Sequence, residues 1–407
     1  MLYLKLAIRN IFRNKRRTLI AGSAIGIGLA ALIFTDALIL GMEKNMIVSA
    51  TESFLGEGQI HHKDFRETFD VEKTIENKSE AISQLKTEKI VSRFTQRTLA
   101  FAMVTSPSNL ASVTMVGIDP ETEQYLSQID EAIIKGTYFS GKNERDIVIG
   151  SKLAEILEVG LGSRVVLTVT QSRSGELSQE MFLVSGIYNF NIKEMDQGMA
   201  FVRLPQAQKM LNLGEEIHEI TLRFTESSYA RDRNLLFWER YSKGGNEAVS
   251  WTVLLPEVEA AFELSHFATY LVGLILFGVV ALGIVNTLFM SLHERMFEFG
   301  VMRAVGTSPL RMAQLILFEA GALAVISIIL GLFIGFVVIL ITMKTGIDYT
   351  GIEFSGVTFR KLLYPELKIE QFIEYPLAVF LFTVLVGLFP ALSAAKLSPA
   401  KAMRRSL

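Results

Sequence analysis

The sequence predicts an α-helical membrane protein with four transmembrane helices and a large α+β extracytoplasmic domain between the first and second helices. Half of the 407 residues are hydrophobic, and the mean hydropathy of +0.36 is higher than an ordinary soluble protein has. Four apolar runs reach the roughly 20 residues that a helix needs to cross a bilayer. A long polar block separates the first run from the second, which indicates a folded domain outside the membrane.

These runs and the segments between them divide the chain into nine regions. In chain order we expect an interfacial amphipathic helix at 1–17, a span at 18–41, the outer domain at 42–265, a span at 266–292, a cytoplasmic helix at 293–310, a span at 311–343, an outer loop at 344–371, a span at 372–395 and a basic tail at 396–407.

The basic residues predict the orientation of the spans. The first 17 residues interleave apolar with basic side chains, which favours a helix lying in the membrane interface over a simple charge cluster. The apolar run that follows is too long for a cleaved signal peptide. Basic residues also lie between the second and third runs and after the fourth. Because cytoplasmic segments carry the excess of Lys and Arg, both termini are expected in the cytoplasm and the 42–265 block outside.

The outer block is acidic, with 23 Lys and Arg against 33 Asp and Glu, so it offers no nucleic-acid surface. Cysteine is absent, which excludes disulfides and thiolate metal sites. We expect an α+β fold, as two subdomains, in a block large enough to bury its own core. Alternating patterns predict strands at 96–105, 112–117, 146–150, 164–170, 180–188, 199–202 and 219–224. Helical patterns lie at 78–89, 151–158, 204–211 and 229–241, and residues 42–55 are expected to prolong the first span as a helix.

The segment between the second and third spans is the most distinctive part of the chain. It combines four charged residues, Glu294, Arg295, Glu298 and Arg303, with an apolar stripe at helical spacing, Phe297, Val301 and Ala304. Gly306 supplies a left-handed residue to end this helix, and Ser308 followed by proline starts the next one. A simple turn would not need a capped amphipathic helix. The pattern therefore predicts a helix that binds a soluble partner protein.

Several small or polar residues in the spans predict helix contacts. Gly22 and Gly26 in the first span, and Gly331 and Gly335 in the third, have the spacing that lets helices approach closely in lipid. Asn286 is expected to hydrogen bond between helices. Glu319 lies about 12 Å into its span, where a carboxylate is costly and is a functional candidate by default. The alternative is a packing role, with a hydrogen bond to Asn286 or to an arginine at the inner face.

The sequence offers no catalytic constellation. His61 and His62 are adjacent on an expected strand, so they point to opposite faces and cannot readily share a metal ion. Hydrolase, zinc-protease and P-loop motifs are absent from the 407 residues. We therefore expect no enzyme activity and no bound metal or cofactor. If the protein uses ATP, another chain must bind it.

The segment NTLFMSLHERMFEFGVMRAVGTSP resembles the sequence that follows the second span in the FtsX-like and MacB-like ABC transporter permease superfamily. The residues that match the family pattern are Asn286, Thr287, Met290, Ser291, Glu294, Arg295, Glu298, Gly300, Arg303, Ala304, Gly306 and Ser308. The ends of the chain, LAIRNIFRNKRRT and PALSAAKLSPAKAMR, and the outer segment DIVIGSKLAEILEVGLGSRVVL are also similar to the family. Leu292 stands where Val or Ile is usual, and Met403 where Leu is usual.

The resemblance implies a type VII permease subunit in the bacterial inner membrane, with its large domain in the periplasm. It implies that two such subunits pair, as a homodimer or heterodimer, around an ATPase that binds ATP and Mg²⁺ and contacts the 293–310 helix. The layout is similar to the lipoprotein-releasing Lol permeases, which extract lipoproteins and pass them to a periplasmic chaperone. Alternative expectations are a MacB-like exporter of peptides, toxins or lipids that needs an adaptor, and a cell-division-type regulator of cell-wall hydrolases.

Overall fold

The computed structural model describes residues 6–7, 9–10, 13, 15–139, 143–354, 357–358 and 362–396. The chain divides into two compact units. The helical unit contains residues 1–44, 262–348 and 362–407, and the outer unit contains residues 45–261 and 349–361. Most of the interfacial helix expected at 1–17, and nearly all of the basic tail expected at 396–407, lies outside the described residues.

The helices, in chain order, are α1 (Lys15–Ala50), α2 (Phe65–Thr68), α3 (Lys78–Thr87), α4 (Pro120–Glu123), α5 (Ser151–Leu157), α6 (Lys193–Gly198), α7 (Leu204–Leu211), α8 (Ser228–Arg231), α9 (Leu236–Tyr241), α10 (Trp251–Leu254), α11 (Pro256–Glu294), α12 (Met296–Ala304), α13 (Pro309–Thr345) and α14 (Gln371–Ala395). The strands are β1 (Gly58–His62), β2 (Val91–Thr105), β3 (Leu110–Ile118), β4 (Ile133–Gly136), β5 (Asp146–Gly150), β6 (Arg164–Thr170), β7 (Leu177–Tyr188), β8 (Met199–Arg203), β9 (Glu219–Phe224), β10 (Asn246–Ser250), β11 (Glu353–Phe354) and β12 (Val357–Thr358).

Four helices, α1, α11, α13 and α14, are long and apolar enough to cross a membrane, as the sequence predicts. α1 does not stop at the expected end of the first span. It runs on to Ala50 and continues as a π-helical turn, Thr51–Leu55, so the helical extension predicted for 42–55 is present. α11 has 39 residues and is therefore about 58 Å long, well beyond the roughly 30 Å of hydrocarbon.

The outer unit is built on one sheet with the strand order β10-β1-β9-β2-β3-β8-β5-β7-β4. β6 pairs with both β2 and β7, so β2, β3, β8, β5, β7 and β6 form a closed circuit of hydrogen-bonded strands. The pairs β3–β8 and β5–β7 are parallel and the other pairs are antiparallel. The expected α+β domain between the first and second spans is thus observed, with one continuous sheet running through it.

Among the residues that the structure describes, two large apolar clusters pack within the outer unit. One lies around β2, β5, β6 and β7 with α5 and α7, and its centre includes Val104, Leu153 and Leu167. The other is rich in aromatic rings and includes Phe54, Tyr188 and Phe201. Each cluster is fully enclosed at its centre, so the outer unit has a substantial core of its own.

The outer-unit elements also correct two details of the sequence analysis. The pattern at 229–241 predicts one helix, but α8 and α9 are separate. Asp232 accepts a hydrogen bond from the backbone N–H of Asn234 at 3.0 Å, and this turn interrupts the helical path. His61 and His62 do lie on a strand, β1, where His61 is buried and His62 is half-buried. Their opposite orientations agree with the prediction.

Candidate coupling site

α12 is a nine-residue helix that begins one residue after α11 ends. Arg295 is the residue between them, and its φ of −108° and ψ of 16° break the helical path. The helix ends as the sequence predicts, because Gly306 has a φ of +101°. The N–H of Gly306 bonds the carbonyl of Arg303 and the N–H of Thr307 bonds that of Met302. These two bonds form a Schellman cap, so α12 has a defined end.

The two faces of α12 have different environments. Phe299 and Gly300 are buried against the helical unit. The predicted stripe faces outward, because Phe297 is 51% exposed, Val301 is 41% exposed and Ala304 is also exposed. The stripe therefore leaves part of its apolar surface available to another molecule.

Arg295 joins α12 to α13 through a buried ion pair. Its guanidinium donates to Glu319 Oε1 at 2.7 Å and to Glu298 Oε2 at 2.9 Å. It also lies 5.0 Å from the centre of the Phe299 ring. Arg295 and Glu319 are both almost completely buried, at 8% and 5% exposure. A buried carboxylate needs such a partner, because an unpaired charge in an apolar environment is very costly.

The same carboxylates bind the N-terminal segment. Asn10 Nδ2 donates to Glu319 Oε1 at 2.6 Å, and Arg13 donates to Glu298 Oε1 at 3.0 Å. Asn10 and Arg13 are both helical. We call these five residues, Asn10, Arg13, Arg295, Glu298 and Glu319, the coupling network. It connects three segments that are far apart in sequence.

The charges of the network shift the pKa values of two of its members, Arg295 and Glu298. Burial alone lowers the pKa of Arg295, but the charge of Glu319 and the hydrogen bonds with Glu298 and Glu319 outweigh it, so the pKa is raised. Burial likewise raises the pKa of Glu298, but its hydrogen bonds with Arg295 and Arg13 hold that pKa below its usual value. Both shifts favour the charged forms of Arg295 and Glu298 at neutral pH.

The two predicted small-residue motifs pack against each other. A Cβ atom added at Gly26 in α1 would lie 3.0 Å from the carbonyl oxygen of Ser327 and 3.2 Å from the nitrogen of Gly331 in α13. One added at Gly331 would lie 2.6 Å from the carbonyl oxygen of Gly26. Gly22 contacts Ser327, and Gly335 contacts Ala30, further along the same crossing. α1 and α13 thus approach closely enough that only glycine fits at the centre.

The remaining predicted residues have simpler positions. Glu294 is the exposed last residue of α11. Arg303 donates to the carbonyl of Thr307 at 3.0 Å, so within this chain it strengthens the end of its own helix. Two partners were considered above for Glu319, namely Asn286 and an arginine. The bond with Asn286 is not observed, because the Asn286 side chain is exposed on α11. The other expected partner, an arginine, is the one observed.

Sequence reasoning missed Asn10, Arg13 and Ser327. Arg13 was one of several basic residues that explained the orientation, and nothing in its neighbourhood singles it out. Ser327 precedes Gly331 by four residues, and recognising it as a third small residue would have extended the motif in α13. Among the described residues, no group of three His, Cys, Asp or Glu side chains is arranged to hold a metal ion.

Two sequence domains match the chain. Residues 18–231 match the MacB-like periplasmic core domain, and residues 270–399 match the C-terminal domain of FtsX-like permeases. The chain belongs to the MacB-like and FtsX-like family of ABC transporter permeases. The coupling site around α12 lies inside the FtsX-like domain of this permease, and the sheet of the outer unit lies largely inside its MacB-like domain.

The relatives of this permease include proteins of the lipoprotein-releasing system. The transmembrane protein LolE of Haemophilus influenzae is 23% identical over 94% of this chain and 93% of its own length. LolC of Xylella fastidiosa is 22% identical over 71% of this chain and 72% of its own. Among solved structures, the periplasmic region of MacB from Actinobacillus actinomycetemcomitans is 12% identical, with a TM-score of 0.35, over 52% of this chain and 95% of that structure. The family assignment rests on the two sequence domains.

Proposed function

We propose that this permease extracts lipoproteins from the bacterial inner membrane, using ATP that a separate ATPase subunit hydrolyses. The main support for coupling between ATP hydrolysis and the permease is α12. This capped helix has an exposed apolar stripe and is joined to α13 by a buried ion pair. In this proposal α12 lies on the cytoplasmic side and the outer unit in the periplasm. ATP and Mg²⁺ bind to the ATPase, and the permease itself carries out no hydrolysis.

The apolar stripe is the proposed contact with the ATPase. Phe297, Val301 and Ala304 follow one another on one side of α12, as expected for a helix that docks in a groove. Glu294 and Arg303 lie at the two ends of this segment and can pair with charged groups at the rim of the contact. Gly300 and Gly306 have supporting roles, since the first is buried below the stripe and the second ends the helix.

The coupling network is the proposed route from the ATPase into the spans. A movement of α12 acts on Glu319, and hence on α13, through Arg295. The close crossing at Gly26 and Gly331 then carries the movement from α13 to α1. Because α1 continues into the π-helical turn Thr51–Leu55, the movement passes along the chain beyond the first span. This route needs no pore through the permease.

The lipoprotein cargo is supported by the relatives. LolE is matched over nearly its whole length, and the names of LolE and LolC both refer to lipoprotein release. The arrangement of four spans with one large domain after the first is present here without a fused ATPase segment in the 407 residues. Mass spectrometry of the membranes after depletion of the permease tests the cargo. Accumulated lipoproteins support the proposal, whereas accumulated peptides or toxins, or a septation defect without any cargo, contradict it.

Phe297→Asp tests the coupling to the ATPase. The permease is purified together with its ATPase, and bound ATPase, ATP hydrolysis and lipoprotein release are measured. We expect loss of the bound ATPase, because the change places a charge in the apolar stripe. Leu236→Asp is the matched control, since Leu236 is 68% exposed but belongs to the outer unit. Equal ATPase binding by both variants and the unaltered protein would rule out the stripe as the contact.

A second pair of variants separates contact from transmission. Glu298→Ala removes part of the coupling network, and Arg303→Ala weakens the end of α12. We expect both to retain bound ATPase but to release less lipoprotein for each ATP hydrolysed. If release and hydrolysis stay coupled in both variants, neither Glu298 of the network nor the end of α12 at Arg303 has a part in transmission.

A further inference from the structure

A groove in the outer unit runs beside the first part of β2. Its volume is about 460 Å³, and six consecutive residues of β2, 91–96, contribute to its lining. The remaining lining comes from the second half of α3, including Lys86, and from Thr122 and Tyr125 at the end of α4 and just after it. The hydroxyls of Thr122 and Thr95 share a hydrogen bond of 2.8 Å, which fixes α4 against the strand. One strand and two helices therefore shape the groove.

Residues 91–96 form a free edge of the sheet. β2 lies between β9 and β3 in the strand order, and this stretch pairs with β9. Pairing with β3 begins only at Arg97, so no strand of the described chain pairs with residues 91–96 on that side. The carbonyl of Arg97 accepts the N–H of His218, next to β9, at 3.1 Å. Since successive residues of a strand direct their backbone groups to opposite edges, Phe94 and Gln96 direct theirs to the free edge.

An unpaired strand edge can bind an extended peptide, because the incoming chain completes the missing hydrogen bonds of the sheet. In the part of the chain that the structure describes, the backbone groups of Phe94 and Gln96 have no hydrogen-bond partner on this edge. The edge lies in the groove, so a chain added there also contacts side chains of α3 and Tyr125. Residues 91–96 extend over about 20 Å, which matches an added strand of similar length.

The groove carries positive charge although the outer block is acidic. Arg93 and Lys86 are the charged residues of its lining among those described, and both are exposed. Neither forms an ion pair with a described residue, whereas six other arginines of the outer unit do: Arg66, Arg97, Arg145, Arg223, Arg233 and Arg240. The Arg93 guanidinium lies 5.2 Å from the centre of the Tyr125 ring, which positions it and leaves its N–H groups for an anion. The groove therefore favours a ligand with carboxylates.

We propose that this groove binds an extended, acidic segment of a separate protein that meets the outer unit, as a strand added beside Phe94 and Gln96. The backbone of the segment bonds the free edge, and its carboxylates pair with Arg93 and Lys86. Backbone hydrogen bonds give affinity without reading the sequence, so the two cations provide the preference for acidic segments. The inference goes beyond the proposed function, because it concerns neither the ATPase nor the cargo.

Peptide binding to the intact permease in detergent tests the proposal. The probe is a fluorescently labelled peptide, matched in length to residues 91–96, in which glutamate and valine alternate. Fluorescence anisotropy measures its affinity. We expect it to bind about tenfold more tightly than the same peptide with lysine in place of glutamate. Arg93→Glu should abolish this preference. Arg164→Glu is the matched control and should keep it, because Arg164 is an exposed arginine of β6 that does not line the groove.

Two changes to backbone nitrogens test the strand pairing separately from the charge. Methylation of every backbone nitrogen of the acidic peptide removes its donors and should abolish binding to the unaltered permease. Gln96→Pro removes an N–H from the free edge and should also weaken binding, while the N–H groups that bond β9 remain. Thermal unfolding shows whether this variant is folded, and the methylated peptide gives the answer if it is not.

Several results would overturn the proposal. Equal affinity for the glutamate and lysine peptides would show that the cations select nothing, and full binding of the methylated peptide would show that the edge is not used. Failure of the acidic peptide to bind the unaltered permease would exclude the site. A photoreactive analogue in place of Phe94 identifies the partner in cells. A cross-link to an acidic segment of a separate protein supports the proposal, whereas a cross-link to a lipoprotein cargo contradicts it. None of these measurements involves the ATPase, so failure here leaves the proposed function standing.

Discussion

Glu319 receives hydrogen bonds from Arg295 and Asn10 on a single carboxylate oxygen, about 15 Å from the start of α13. The energetics of such a buried pair are asymmetric. An ion pair can contribute little net stability, because both charges lose their hydration, yet removing one partner leaves the other charge uncompensated. The pair is therefore more informative about where helices are held together than about how stable the protein is.

Arg295→Ala should destabilise the helical unit by about 3–5 kcal/mol, because Glu319 then loses its cation. The double variant Arg295→Met with Glu319→Leu should recover most of this loss, since it removes both charges and keeps similar volumes. Thermal unfolding in detergent measures both effects. A single variant as stable as the unaltered protein would show that Glu319 does not depend on Arg295 as its partner.

Glu298 should make the stability depend on acidity. Its pKa in the folded protein lies below the usual 4.5, so its stabilising contribution is present above about pH 4.5 and is lost as the pH falls through the lowered value. The stability difference between the unaltered protein and Glu298→Gln should be constant near neutral pH and should shrink in acid. Unfolding midpoints measured across this range test the prediction, and a difference that does not vary with pH would contradict it.

For single residues, the sequence indicated which side chains are unusual, but it indicated less well which residues they contact. Glu319 stood out because a carboxylate in an apolar run is rare, and an inner-face arginine was one of two expected partners. Asn10 lies 309 residues away from Glu319 in sequence, and no local pattern connects them. Asn286 was identified as a polar residue in an apolar run, but its exposed position could not be predicted because it depends on how the helices pack.

The crossing of α1 and α13 shows how two elements recognise each other. The sequence identified one glycine pair in each helix, and the structure places the two pairs in contact. Since apolar lipid provides no hydrophobic drive for association, this contact depends on close packing of the two backbones. A side chain inserted at the centre must push the helices apart.

Gly331→Ala should therefore destabilise the helical unit by about 1–3 kcal/mol, the usual cost of overpacking. Gly321→Ala in the same helix is the matched control, because its Cβ would meet only the ring of Phe380 at 4.0 Å. Unfolding of both variants in a detergent series measures the difference. Equal stability of the two variants would mean that α1 and α13 can separate without cost.

Elements with a clear alternation of apolar residues were predicted with correct ends. β5, β6 and β9, as well as α7, have the bounds that the patterns indicate. β4 was missed because three of its four residues, Ile134, Lys135 and Gly136, are exposed, so it has no buried face to mark it. The break between α8 and α9 was missed for a different reason, since a single turn at Asp232 overrides an otherwise helical pattern.

At the scale of the whole molecule, the outer unit has the features of an independently folding domain. Its two apolar clusters are enclosed, and the fully buried Arg97 is paired with Glu123 and Glu219. A fragment containing residues 51–255 should be soluble without detergent and should unfold in one cooperative transition. Circular dichroism and size-exclusion chromatography test this. An aggregated fragment would show that the outer unit depends on the spans for folding.

The sequence predicted the arrangement of spans and domain but not the order of the strands. Span length and charge distribution are local properties, so they can be read along the chain. In contrast, β1 pairs with β9 and β10, more than 150 residues later, and β5 lies parallel to β7. Such contacts depend on the complementarity of distant surfaces, which a single sequence does not display.

The one-residue break at Arg295 has a mechanical consequence. A hinge between two rigid helices is usually free to swing, because its backbone angles change at little cost. Here the side chain of the hinge residue, Arg295, forms an ion pair with Glu319 in α13. A large change in the backbone angles of Arg295 would therefore also break this ion pair. If α12 transmits force as proposed, a displacement of α12 acts directly on Glu319 in α13, and it can be no larger than this ion pair allows before the pair breaks.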